Sequence, residues 1–177
     1  MPKRTVLVNR APVLTLWAAV VAERLGFDPD EAMSLGKAVS GLTAQSKGSR
    51  LGIFTPRPKT KAELEKMKKA REFSVELLGR MIPCRRTPEG VRAVAKDKPV
   101  ESEPVSRYLE QKFGDNLSEV REAMEKLARS FKPDVLAGLA FTLYTRFRPR
   151  IPAGTKSWGA KGQLDLGFVE SLRAQKP

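Results

Sequence analysis

Apolar residues return every three or four positions along most of this chain, and that rhythm predicts a mostly helical protein. Leu14, Trp17, Val20, Val21 and Leu25 form the first stripe, which stops at Gly26, a residue suited to the turn that ends a helix. Asp28, Pro29 and Glu31 follow as N-cap, first-turn proline and capping-box acid. They open a second helix expected to run to about Ala44, with the small side Ala32, Leu35, Gly36, Val39 and Leu42 open to close approach by a neighbour. Thr60 to Glu63 is another capping box and predicts helix to about Arg80, with Leu64, Met67, Ala70, Leu77 and Leu78 facing inward.

The C-terminal half reads as shorter helices. One covers about 104–113 and ends at Gly114; the next covers 117–131, capped by Asn116 or Ser118. In the latter, Val120, Met124, Leu127 and Phe131 make an apolar stripe, while Glu122/Lys126 and Glu125/Arg129 pair on the wet side. Pro133 starts a helix in which Val135 to Tyr144 is apolar nearly all round, so it is the expected central, buried helix. Pro149 stops it, and a last helix is capped by Asp165. The residues expected deepest in the core are Trp17, Val21, Leu25, Leu35, Leu136, Leu139 and Leu143.

Two stretches depart from the helical rhythm. Met81–Arg86 and Val91–Lys96 are β-capable and flank Thr87-Pro88-Glu89-Gly90, sound turn chemistry for a hairpin, with Pro83 limiting the first run to an edge. Pro2 to Asn9 is short and extended. Residues 45–59 and 99–104 read as loop and linker. The fold expected is therefore mostly α: a multi-helix bundle with one small β-hairpin (about 81–96) and a short N-terminal extended arm. It would form one domain over 1–177, or two lobes, 1–98 and 99–177. No internal repeat is present.

Composition narrows the chemistry. With no histidine and one cysteine, Cys84, the chain lacks the usual general base, most zinc sites and any internal disulfide. No motif arranges its other side chains for catalysis, so no enzyme, metal or cofactor is expected. A lone cysteine fits a reducing cytoplasm, and no apolar run approaches membrane-spanning length, so no membrane insertion is expected. Met1-Pro2-Lys3-Arg4 opens like a signal peptide but lacks the apolar stretch that would complete one.

Charge is the positive signal. Thirty-three basic against 20 acidic residues give +13, which suits an anionic partner. The excess is uneven: residues 101–130 carry five basic and seven acidic residues, whereas 45–61 carry five basic residues and no acid. One face rather than the whole surface is expected to be basic. The expected function is nucleic-acid binding, DNA or RNA, chiefly through phosphates. The alternative is a protein-interaction module whose basic face meets an acidic partner.

The candidate contacts are scattered. Ser46-Lys47-Gly48-Ser49-Arg50-Leu51-Gly52 could cradle an anion with backbone N–H groups, hydroxyls and two cations, joined by Arg57 and Lys59, although a solvated loop would look the same. The hairpin could act as a wing through Arg85, Arg86 and Arg92, or simply be a surface hairpin. Arg146 and Arg148 end the apolar helix, where arginine also serves the helix dipole. Lys156, Trp158 and Lys161 could offer a stacking aromatic between cations, or a tryptophan pinning its loop to the core. The first two helices have the spacing of a helix-turn-helix, but the second is acidic at the end that should approach DNA, and an ordinary helical hairpin explains the same residues. Cys84 beside Arg85 and Arg86 could ionise more readily, though no base accompanies it.

Overall fold

A computed structural model describes residues 5–50, 61–62, 73–95, 98–149 and 161–173, and within these it leaves the side chains of 44–50 and 161 aside. Helix dominates. The elements are β1 (Thr5–Asn9), α1 (Arg10–Arg24), α2 (Pro29–Arg50), β2 (Phe73–Leu77), β3 (Arg80–Thr87), β4 (Gly90–Ala95), β5 (Lys98–Pro99), α3 (Ser102–Phe113), α4 (Leu117–Arg129), α5 (Pro133–Phe147), β6 (Lys161–Asp165) and α6 (Leu166–Ser171). No described helix is long and apolar enough to cross a membrane.

The central helix is α1, not α5. Every residue from Pro12 to Ala22 is buried, because α2, α3, α4, α5 and β1 all pack around this one helix. An all-apolar helix is stable only when it is surrounded in this way. Trp17 is its anchor: the indole N–H donates to the Ala140 carbonyl at 2.9 Å, and the ring meets Phe147 edge-on at 5.3 Å. α5 covers α1 with one stripe only, Leu136, Ala140, Leu143, Tyr144 and Phe147, and turns Val135, Leu139 and Phe141 outward. Leu139, expected in the core, is 39% exposed, since apolarity all round a helix does not say how many sides are covered. Leu25 is likewise only partly buried.

α1 and α2 form an antiparallel hairpin. Gly26 takes a positive φ of 113° between them, and the capping box then closes: the Glu31 N–H donates to Asp28 while the Asp28 N–H donates to Glu31. A Cβ on Gly36 would lie 2.5 Å from the Thr15 carbonyl oxygen, so only glycine permits this approach. One turn on, the Ser40 hydroxyl reaches the Ala11 carbonyl. This side-by-side packing is that of a helical hairpin rather than of a helix-turn-helix. The acids at the start of α2 are engaged inside the protein: Glu31 accepts from the Val91 N–H and Asp30 from the Ser102 hydroxyl. α2 also continues to Arg50, so Gln45–Arg50 is helix where a loop was expected. A glycine such as Gly48 costs a helix about 1 kcal/mol without ending it.

The β-structure exceeds one hairpin. β2, β3, β4 and β5 make a four-stranded antiparallel meander in which β3 and β4 pair Cys84 with Ala93 through Thr87 with Gly90. β2 occupies Phe73–Leu77, where helix to Arg80 was expected, and the two-residue Leu78–Gly79 turn, both with positive φ, joins it to β3. The part of the expected helix at 63–72 lies outside the described residues. The sheet docks on α2 through Ser34, whose buried hydroxyl accepts from the Ala93 N–H and donates to the Val100 carbonyl. The N-terminal arm is β1, paired antiparallel with β6, so Lys161–Asp165 is strand rather than loop. Asp165 then caps α6 by accepting from the Phe168 N–H.

Candidate nucleic-acid interface

α5 runs antiparallel along α1, and three bonds fix the alignment. Arg24 donates to the Phe131 carbonyl, Trp17 to that of Ala140, and Arg10 Nε to that of Pro149 at 2.8 Å. The last brings the start of α1 against the end of α5. There Arg10, Arg146 and Arg148, with Thr145 and Phe168, line an open cleft of about 450 Å³. Arg146 is exposed, while Arg10 and Arg148 are half-buried.

The electrostatics of this cleft are one-sided. Among the described residues none of its three arginines is paired with a carboxylate; Arg148 lies 6.0 Å from the centroid of the Tyr144 ring. Burial and then the neighbouring Arg148 push the pKa of Arg10 down, the expected response when a cation is desolvated beside a like charge. Burial pushes Tyr144 up to about 12. Arg146 and Arg148 suit the negative end of the α5 dipole, but Arg10 sits in the first turn of α1, the wrong end for a cation. Helix stability therefore does not account for Arg10.

More basic residues arrive at this end. β1 and β6 pair Asn9 with Lys161, so Pro149 and Lys161, which flank 150–160, both meet the Asn9–Arg10 junction. Because α2 runs antiparallel to α1, it carries Lys47 and Arg50 beyond Ser40 and Ala11, to the Arg10 end of the hairpin. Arg57, Lys59, Lys156 and Trp158 lie outside the described residues.

Arg85 and Arg86 do not join them. The sheet contacts the first turns of α2, and Leu77 and Leu78 share a cleft of about 240 Å³ with Val21, Leu25 and Gly138 at the far end of α1. A 15-residue α1 places the two ends roughly 20 Å apart. Neighbouring residues on a strand face opposite ways, so Arg85 is half-buried while Arg86 is exposed, its guanidinium 5.6 Å from the Phe73 ring centroid. Arg92, also expected to face a phosphate backbone, is buried at 3% exposure, with Nε 3.8 Å from Glu101 and one N–H on the Val91 carbonyl. Cys84 is buried too, and desolvation pushes its thiol up to about 11, against the activation its arginine neighbours suggested.

Of the expected contacts, then, Arg146 and Arg148 come together. Sequence reasoning missed Arg10 and Phe168, because each is a lone residue beside an apolar run and only the α1–α5 alignment unites them. No group of histidine, cysteine and acidic side chains that could hold a metal ion occurs among the described residues. No protein-family model, curated protein or solved structure matches this chain.

Proposed function

We propose that this protein binds nucleic acid, DNA or RNA, through its phosphates at the Arg10 end of the α1–α5 pair, without acting on it chemically. The observation that carries this reading is the cleft lined by Arg10, Arg146 and Arg148, with no carboxylate paired to any of them among the described residues. Like charges brought together and partly desolvated repel one another, and an anion relieves that repulsion. Planar guanidiniums also match the oxygens of a phosphate in a bidentate fork. The overall +13 charge adds attraction at longer range.

The test is binding of the full chain to fluorescent oligonucleotides of roughly 20 nucleotides at low salt, with polyglutamate as competitor. Saturable binding that weakens as salt rises, and that excess polyglutamate displaces poorly, is the expected result. Binding of polyglutamate with none of the oligonucleotides would replace this reading with that of a module for an acidic protein.

A further inference from the structure

Phe168 is the aromatic residue among the described residues that line the arginine cleft. α6 buries Leu166 and Val169 completely, yet Phe168, between them, is 37% exposed. Its backbone is held by the Asp165 cap, and Asp165 is itself placed by the β1–β6 pairing opposite Thr5. The ring therefore stands on a fixed support beside Arg10, Arg146 and Arg148. Thr145 lines the same cleft, but its hydroxyl already donates to the Thr142 carbonyl, leaving the arginines as the donors that face the cleft among its described lining residues.

A cleft that pairs cations with a partly exposed aromatic ring matches a nucleotide unit, whose anionic phosphate and flat base call for those two surfaces. In a duplex the faces of the bases are stacked on one another and closed to a side chain; in a single strand they are open. We propose that this cleft holds one nucleotide of a single strand, its phosphate among Arg10, Arg146 and Arg148 and its base against the Phe168 ring. This rests on the nucleic-acid reading above and adds a preference for single strands.

The two parts separate experimentally, because stacking does not release counterions whereas phosphate contact does. The probes are a fluorescein-labelled oligothymidylate and a random-sequence duplex of the same length, each titrated across a salt series with the full chain. The variants are F168L, which keeps apolar bulk, and F168W, which keeps an aromatic face; circular dichroism confirms that each is folded. Expected are tighter binding of the single strand than of the duplex by wild type, and a loss of about tenfold in single-strand affinity in F168L. The slope of affinity against salt and the duplex affinity should stay unchanged in F168L, and F168W should bind as wild type does. Unchanged single-strand affinity in F168L, an equal loss for both strands, or the same loss in F168W would overturn the stacking role while leaving the phosphate site standing. If wild type binds neither probe at low salt, the nucleic-acid reading fails and this inference fails with it.

Discussion

The two ends of α1 handle charge in opposite ways. At the C-terminal end Glu23 pairs with Arg121, which also holds Glu125 at 2.8 Å, and Arg24 caps the Phe131 carbonyl. The helices α3 and α4 beyond continue the pattern, with Arg107 near Glu103 and Lys126 near Glu122. At the N-terminal end Arg10 also holds a carbonyl, that of Pro149, but Arg10, Arg146 and Arg148 share a cleft with no carboxylate partner among the described residues. Both ends contain arginine, so the count of basic residues does not distinguish them; the carboxylates do. A paired arginine is part of the scaffold, and an unpaired cluster raises the local concentration of anions.

The comparison depends on α1 being the shared frame, which gives the largest expected effect. Trp17→Ala removes a fully buried indole, its bond to Ala140 and its contact with Phe147, and should cost about 3–5 kcal/mol in denaturant unfolding. Leu139→Ala, on the outer side of α5, should cost less than about 1 kcal/mol. Equal losses would mean that α5 rather than α1 is the central helix.

Next in size is a contrast between the ends themselves. Glu23→Gln leaves Arg121 with one carboxylate where it had two, a loss of roughly 1 kcal/mol or less for a partly exposed pair. Arg146→Gln removes a charge whose charged neighbours, among the described residues of its cleft, are all of like sign, so stability should stay level or rise slightly at low salt. A loss at Arg146 matching that at Glu23 would show an ion pair at the cleft and erase the distinction.

A further effect appears only at alkaline pH. Burial raises Tyr144 from 10.0 to about 12 in the folded protein. Between those values the unfolded chain has released a proton that the folded one keeps, so stability is fully present below about pH 10 and falls as pH rises towards 12. In a Tyr108→Phe variant, where Tyr144 is the remaining tyrosine, the ultraviolet titration should be displaced upward accordingly. An ordinary tyrosine curve would place Tyr144 in solvent.

What was legible in the sequence was local. The Asp28–Glu31 capping box, the stop at Gly26 and the α4 stripe of Val120, Met124 and Leu127 are each written in a few adjacent residues, and all are present. Pairings over long distances were not legible. β6 needs β1, some 150 residues away, before Lys161–Asp165 becomes a strand. β2 was mistaken for helix because Leu77 and Leu78 fit either period, and only pairing with β3 decides between them. Glu125 was expected to pair with Arg129 but pairs with Arg121, which Glu23 on another helix also holds, while Arg129 donates to the Glu125 backbone carbonyl. The site had the same fate: Arg146 and Arg148 could be named from the chain, while Arg10 acquires meaning only where α1 and α5 meet.

The most direct test is the salt dependence of oligonucleotide binding in two double variants, one from each region. Arg146→Gln with Arg148→Gln removes two cations of the cleft, while Arg107→Gln with Lys126→Gln removes two paired with carboxylates. The slope of log affinity against log salt should flatten by about two in the first pair, since each lost phosphate contact withholds about one counterion, and match wild type in the second. Equal flattening in both pairs, or none in the first, would contradict the account.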